Sequence, residues 1–292
     1  MSLKHLPEIK QANIRWIVDV IHDEFEQVRG FASGKKKHCR IVLIILFGSY
    51  ATGEWIDEPY DGYVSDYDIL VVLNHPELLE AYEIWGGAEE RIQRKLRAPI
   101  SLIVHTHEEV NERLQQGHYF FRDIQTEGIC LYQYQGATLA KPGVLSATEA
   151  REIAQEHYTH WFESADSFLI NYGHCMDRKD YKIASFMLHQ ATERYYACFL
   201  LVFTNYLPRT HNLKLLNSLS IQQNKVIATV FPQDKKYNRR LFELLKHAYI
   251  GSRYSKHFHI VEEELLWLQA QVEQLQKLTQ KLCLQRIASL NE

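Results

Sequence analysis

Seven consecutive apolar residues, Ile41 to Phe47, stop abruptly at Gly48-Ser49, and a second apolar run, Ile69 to Leu73, is headed by Asp66-Tyr67-Asp68. A β-branched, aliphatic run of that length reads as a strand buried on both faces. Two such strands so close in sequence call for one sheet with covering layers on both sides. Residues i and i+2 of a strand point to one face, so Asp66 and Asp68 should project together at the head of the second strand. Two carboxylates there repel unless a cation lies between them; Mg²⁺ prefers such oxygen donors and completes its shell with phosphate oxygens and water. The Gly-Ser turn adds backbone N–H groups, and glycine lets a phosphate approach closely. A phosphate cradle beside a carboxylate pair suits phosphoryl or nucleotidyl transfer.

The flanking pattern extends this unit. Residues 8–29 carry Ile9, Ile14, Ile17, Val18, Ile21 and Phe25 at helical spacing, residues 34–38 form a polar turn, and residues 76–96 read as a helix interrupted at Gly86-Gly87. Residues 100–106 supply a third strand, Thr106 and Glu109 make a capping box, and residues 128–134 read as an edge strand. Gly, Pro and small residues then cluster, which marks residues 136–147 as a linker between a first domain, 1–135, and a second, 148–292. A second capping box, Ser146 with Glu149, opens an almost wholly helical pattern over 148–172, 180–205, 211–219, 238–255 and 260–288. The last segment is clearest, with Leu265, Leu268, Val272, Leu275, Leu278 and Leu282 on one face. The expected architecture is an α+β domain, a small mixed sheet with helices, followed by an all-α bundle.

Composition narrows the functional classes. The 292 residues are 46% hydrophobic and 24% charged, ordinary for a folded chain of two domains. A net charge of -3 gives no general pull toward nucleic acid, but residues 1–140 hold 14 Lys+Arg against 21 Asp+Glu, and residues 141–292 hold 19 against 15. No apolar run reaches the length of a membrane span, and the amino-terminal ten residues lack a signal peptide's apolar core. Five scattered cysteines without CxxC spacing argue against a disulfide framework or cysteine zinc site, so a cytoplasmic protein with no membrane partner is expected.

The segments Leu46-Phe47-Gly48-Ser49 and Asp66-Tyr67-Asp68-Ile69-Leu70 resemble the signature of the DNA polymerase β-like nucleotidyltransferases. The resemblance covers roughly the first 135 residues. It implies that Asp66 and Asp68 ligate Mg²⁺, that Gly48 and Ser49 hold the β/γ-phosphates of ATP or another NTP, and that Asp66, Asp68 and Ser49 form the catalytic set. The Ser49–Asp66 spacer is longer than in minimal members and holds Glu54, Asp57, Glu58 and Asp61 with Trp55, Tyr60 and Tyr63, which reads as a surface excursion. The family's third carboxylate is expected on the following strand, where Ser101 stands and no acid is present. Nucleotide binding would survive that change, while the general base would come from elsewhere.

The second half resembles the HEPN family (higher eukaryotes and prokaryotes nucleotide-binding). The matching pieces are Leu188-His189-Gln190-Ala191-Thr192-Glu193, Pro208 to Leu213, and Ala248-Tyr249-Ile250 followed by Arg253-Tyr254. The resemblance implies a helical bundle that forms a homodimer, a partnership with nucleotidyltransferase domains in toxin–antitoxin or defence settings, and in some branches a metal-independent RNase. The RNase signature is an Arg, a short spacer and a His. Arg240 and His247 fit it, seven residues apart on one helical face, with Tyr249 and Arg253 beyond them. Arg240 also reads as a solvated charge and His189 as a core histidine. His157 with His160, and His257 with His259, lack the company a zinc site needs. The basic residues Lys235, Lys236, Arg239, Arg240, Lys246, Arg253 and Lys256, interleaved with Tyr237, Tyr249 and Tyr254, would suit stacking and charge contact with RNA.

Together these features point to a Mg²⁺-dependent transferase moving an NMP, AMP from ATP foremost, to a hydroxyl on protein, RNA or a small molecule. Two rivals stand beside it: an RNase regulated by the first domain, and a nucleotide sensor without turnover. Dependence on metal separates the three.

Overall fold

A computed structural model of the protein describes residues 3–55, 57–58 and 63–290. The chain divides into two compact units, and the division after the first falls between Val144 and Leu145.

The first unit is α+β. Its long helix α1, Glu8–Gly30, buries Ile14, Ile17, Val20, Ile21 and Phe25; Ile9 of the expected stripe is instead exposed. The strands β1 (Ile41–Phe47) and β4 (Tyr67–Leu73) are buried at every residue, as their unbroken apolar runs require. Between them lie the one-turn helix α2, Ser49–Thr52, and the two-residue strands β2 (Asp57–Glu58) and β3 (Tyr63–Val64), paired antiparallel. The rest of the excursion, with Tyr60 and Asp61, lies outside the described residues. Helix α3 (Tyr82–Leu96), β5 (Ile100–Thr106), α4 (His107–Gln115), α5 (Tyr119–Glu127) and β6 (Ile129–Gln133) complete the unit. The sheet order is β5-β4-β1-β6, with β4 and β5 parallel and β1 antiparallel to both its neighbours.

Alternation along the strands sorts the core. Ile44, Leu46, Ile69, Val71 and Leu73 pack with α1 and α3. On the other face, Phe47 meets Phe120 of α5 edge to face, with centroids 5.6 Å apart.

The helix expected over 76–96 breaks before its glycines. A 3-10 turn at Pro76–Leu78 is held by the Trp85 indole N–H, which donates to the Leu78 carbonyl at 2.8 Å, and α3 starts only at Tyr82. Gly86 and Gly87 lie inside α3; a Cβ on Gly86 would meet the Tyr82 ring at 2.7 Å and one on Gly87 would meet Glu24 of α1 at 3.3 Å. Residues 137–143 run along the first unit. Asn111 Oδ1 accepts from the Ala140 N–H, Gln125 donates to the Ala140 carbonyl, and the Gly143 N–H donates to Leu114.

The second unit is helical: α6 (Ala147–Asp177), α7 (Tyr181–Thr204), α8 (Leu213–Gln223), α9 (Lys236–Tyr254) and α10 (Glu262–Ser289). Both expected capping boxes form, at Thr106/Glu109 and Ser146/Glu149. Helix α7 is the centre of the bundle, buried nearly all round from Leu188 to Val202. On α10 the buried stripe runs Leu265, Leu268, Val272 and Leu275, then shifts to Thr279, Cys283 and Ile287, leaving Leu278 and Leu282 half-buried. An α-helix drifts about 20° per heptad against a strict seven-residue repeat, and over seven turns that drift moves the buried line by one residue. All five cysteines carry free thiols. Among the described residues, no helix is long and apolar enough to cross a membrane.

Candidate functional site

The carboxylate pair sits where three strand ends meet. Asp68 lies in β4 opposite Phe47, the last residue of β1, and beside Ser101 in the parallel register with β5. Asp66 precedes β4 by one residue and shares Asp68's face by alternation. Both are buried, at 6% and 1% exposure. Ser101, 4% exposed, donates its hydroxyl to Asp66 Oδ2 at 3.3 Å, so it occupies the flank of the pair that a third acid would fill.

Gly48 follows Phe47 directly. Its φ of 68° and ψ of −155° lie in a region essentially reserved for glycine, and this turn aims the chain away from the sheet into α2. Its carbonyl receives the N–H groups of Ala51 and Thr52, which closes the turn on itself. Ser49 is half-buried at the start of α2.

An aromatic stack fixes the elements behind the turn. Tyr50 stacks on Tyr67 with centroids 4.3 Å apart and on Trp55 with centroids 5.6 Å apart, both nearly parallel. The ammonium of Lys10 lies 5.3 Å from the Trp55 ring and 3.3 Å from the Tyr50 hydroxyl. Tyr67 separates Asp66 from Asp68 and points to the opposite face, so this stack braces the strand end that presents both carboxylates.

The donor set fits a hard divalent cation. Two neighbouring carboxylates taken from water on one face are costly unless a cation offsets their charge. Among the described residues no group of three His, Cys, Asp or Glu side chains could hold a metal ion by itself. Two carboxylates are nonetheless the number Mg²⁺ takes when substrate phosphates complete its shell.

In the helical unit the sequence-derived residues separate. Arg240 pairs with Glu264 of α10, and His247 is exposed on α9. Tyr249 and Arg253 come together, the guanidinium 4.6 Å from the ring, and they join a cluster that reaches two other segments. Glu193 of α7 receives the imidazole Nδ1 of His211 at 3.0 Å and faces His189 Nε2 at 3.4 Å. Tyr249 stacks on His211, centroids 4.3 Å apart. The fully buried His189 directs Nδ1 at the Leu245 carbonyl, 2.9 Å away. A carbonyl only accepts, so Nδ1 carries a proton. Burial pushes the Glu193 carboxyl up, but hydrogen bonds and charge from His189 and His211 outweigh it and hold it below its ordinary value. Spacing along the chain hides this cluster, except that His189 and Glu193 stand four apart on a helix.

The strand-Gly-Ser turn and the Asp pair on a mixed sheet define the class of a nucleotidyl-transferring fold. Residues 26–118 match the family model of the nucleotidyltransferase domain, and residues 158–282 match that of the HEPN domain. The chain is a nucleotidyltransferase domain followed by a C-terminal HEPN domain. Comparison with curated proteins finds no match.

Proposed function

We propose that the first unit binds Mg²⁺ and an NTP, ATP foremost, and transfers the NMP to a hydroxyl. The observation that carries this reading is the burial of Asp66 and Asp68 on one face, beside the glycine-only turn that ends β1. Asp66 and Asp68 would hold the metal, which would supply charge neutralisation to the attacking and leaving oxygens. Gly48 and Ser49 would cradle the β- and γ-phosphates. The acceptor oxygen attacks the α-phosphorus in line, the bond to the β-phosphate oxygen breaks, and pyrophosphate leaves while the hydroxyl proton passes to a base. Ser101 is no base near neutral pH, so that proton goes to solvent or to a group on the acceptor, which supports a slow transferase.

The test is a double substitution, Asp66→Asn with Asp68→Asn. Removing two like charges relieves repulsion, so the variant should melt at or above the wild-type temperature without ligand. It should lose the stabilisation that ATP and Mg²⁺ together give the wild type. Equal stabilisation of both proteins would remove the metal assignment. Labelled ATP incubated with the protein and a cell extract, with and without EDTA, then reads the transfer itself.

A second reading rests on the helical unit: metal-independent RNA cleavage. His211, oriented by Glu193 beside Tyr249 and Arg253, supports it better than the Arg240–His247 pair, whose Arg is committed to Glu264. RNA cleavage that persists in EDTA and is lost in His211→Ala would favour it.

A further inference from the structure

At the opposite end of β1 from the Asp pair, the first unit holds a recess of about 320 Å³ lined by His22, Phe25, Glu26, Arg29, Arg40, Ile41, Tyr132 and Tyr134. Ile41 pairs with Leu73, whereas Phe47 pairs with Asp68. A seven-residue strand therefore separates this recess from the carboxylates, roughly 20 Å at about 3.3 Å per residue.

Three features of the recess are independent of one another. The first is charge. In a unit with an acidic balance, the lining carries Arg29 and Arg40, and the segment that joins them, residues 29–40, holds not one Asp or Glu. Glu26 is the sole carboxylate in the lining, and it is already paired with Arg29. The second is preorganisation. The Arg40 backbone is pinned on both sides by Asn74, whose Oδ1 accepts from the Arg40 N–H at 2.7 Å and whose N–H donates to its carbonyl. The guanidinium donates to the Tyr134 hydroxyl at 2.5 Å and lies 5.4 Å from that ring. A phenol that accepts from an arginine keeps its own proton to donate. The third is an unfilled polar atom. His22 Nε2 is buried and has no hydrogen-bond partner, and its ring meets Tyr132 edge to face at 4.5 Å. Desolvation by burial keeps this imidazole below its ordinary value, despite Glu26, Asp19 and Asp23 nearby. An unsatisfied buried nitrogen costs free energy, which a ligand recovers only if the His22 ring turns toward the recess.

We propose that this recess is a second ligand site, distinct from the nucleotidyl-transfer site, that takes the phosphate group of a small phosphate monoester. The Arg40 guanidinium fork matches phosphate oxygens, and the Tyr134 hydroxyl adds a donor beside it. The space exceeds one phosphate ion, and Phe25 and Tyr132 offer apolar walls to the remainder of the ester. Sites of this size ordinarily hold small molecules instead of polymers.

The full chain, titrated calorimetrically in EDTA with AMP, ribose 5-phosphate, inorganic phosphate and glutarate, tests the assignment. The two monoesters should bind at sub-millimolar concentration, inorganic phosphate more weakly and glutarate more weakly still. Arg40→Gln should weaken the monoesters by about tenfold or more, which is about 1.4 kcal/mol. Tyr134→Phe keeps the ring and should weaken them severalfold, so the test survives a failure of the Arg40 variant to fold. Asp66→Asn with Asp68→Asn should bind them as the wild type does, which separates this outcome from any failure of the transferase reading. The proposal is overturned by no monoester binding at millimolar concentration, by binding indifferent to both Arg40→Gln and Tyr134→Phe, or by binding lost with the Asp pair. Glutarate or inorganic phosphate binding as tightly as the monoesters would overturn it too.

Discussion

The hydroxyl of Ser101 reaches Asp66 Oδ2 from the neighbouring strand, 3.3 Å away, in a site where both residues are buried. Ser101→Asp would therefore set a third carboxylate against the pair. Without metal, like charges in a dry site should lower the melting temperature; Mg²⁺ should restore it. A general base contributes roughly 10²–10⁴-fold, so single-turnover transfer from labelled ATP should rise at least tenfold with little change in ATP affinity. Loss of transfer on Ser101→Asp would mean that the third position lies elsewhere.

Gly48→Ala should be costly although it adds one methyl group. A φ of 68° with ψ near −155° forces an alanine into a region that costs about 1–3 kcal/mol. Chemical denaturation should show a loss of that size, and ATP binding should weaken because the turn relaxes. An unchanged denaturation midpoint would show that the turn tolerates a side chain.

Glu193 predicts a pH dependence in the helical unit. Folding lowers its carboxyl below the ordinary 4.5, so the native state binds fewer protons than the unfolded chain at acid pH. The stability it confers is complete above 4.5 and drains away as the pH falls through the folded value. Glu193→Gln should be less stable than wild type at neutral pH, and the gap should narrow below about pH 4. Denaturation series over the acid range measure this; a gap constant with pH would separate Glu193 from the two histidines.

A homodimer through the helical unit remains our expectation for the assembled protein. Leu266 and Leu284 of α10 are 51% and 44% exposed, and five whole turns separate them, so they share one outward face. Light scattering on the full chain at tens of micromolar should report a dimer, and Leu266→Glu with Leu284→Glu should yield a monomer. A monomeric wild type at that concentration would remove the expectation.

Legibility in the sequence followed burial on both faces. Strands β1, β4 and β5 occupy the apolar, β-branched runs that marked them, and β1 and β4 are buried at every residue. The capping boxes were local and therefore readable. Gly86-Gly87 misled because helix propensity counts against glycine, whereas the surrounding turns of α3 carry both residues through as helix. The His189–Glu193–His211–Tyr249 cluster and the recess around His22 stayed hidden. Each is assembled from segments far apart in the chain, and no periodicity reports such convergence. Only the acid-free basic stretch 29–40 hinted at the second.

The position of β1 carries a consequence for biosynthesis. Its IVLIILF run is an interior strand only once β6 pairs along it, and β6 is made after β4, α3, β5, α4 and α5. Until then the nascent chain presents a long, uncharged, hydrophobic strand with one open edge, the feature most prone to pairing with other chains. A polypeptide ending before Ile129 keeps that edge open permanently. Truncation within the first unit should therefore yield aggregates instead of a smaller folded protein, and a slow-growing chain would depend on chaperones to shield Ile41–Phe47.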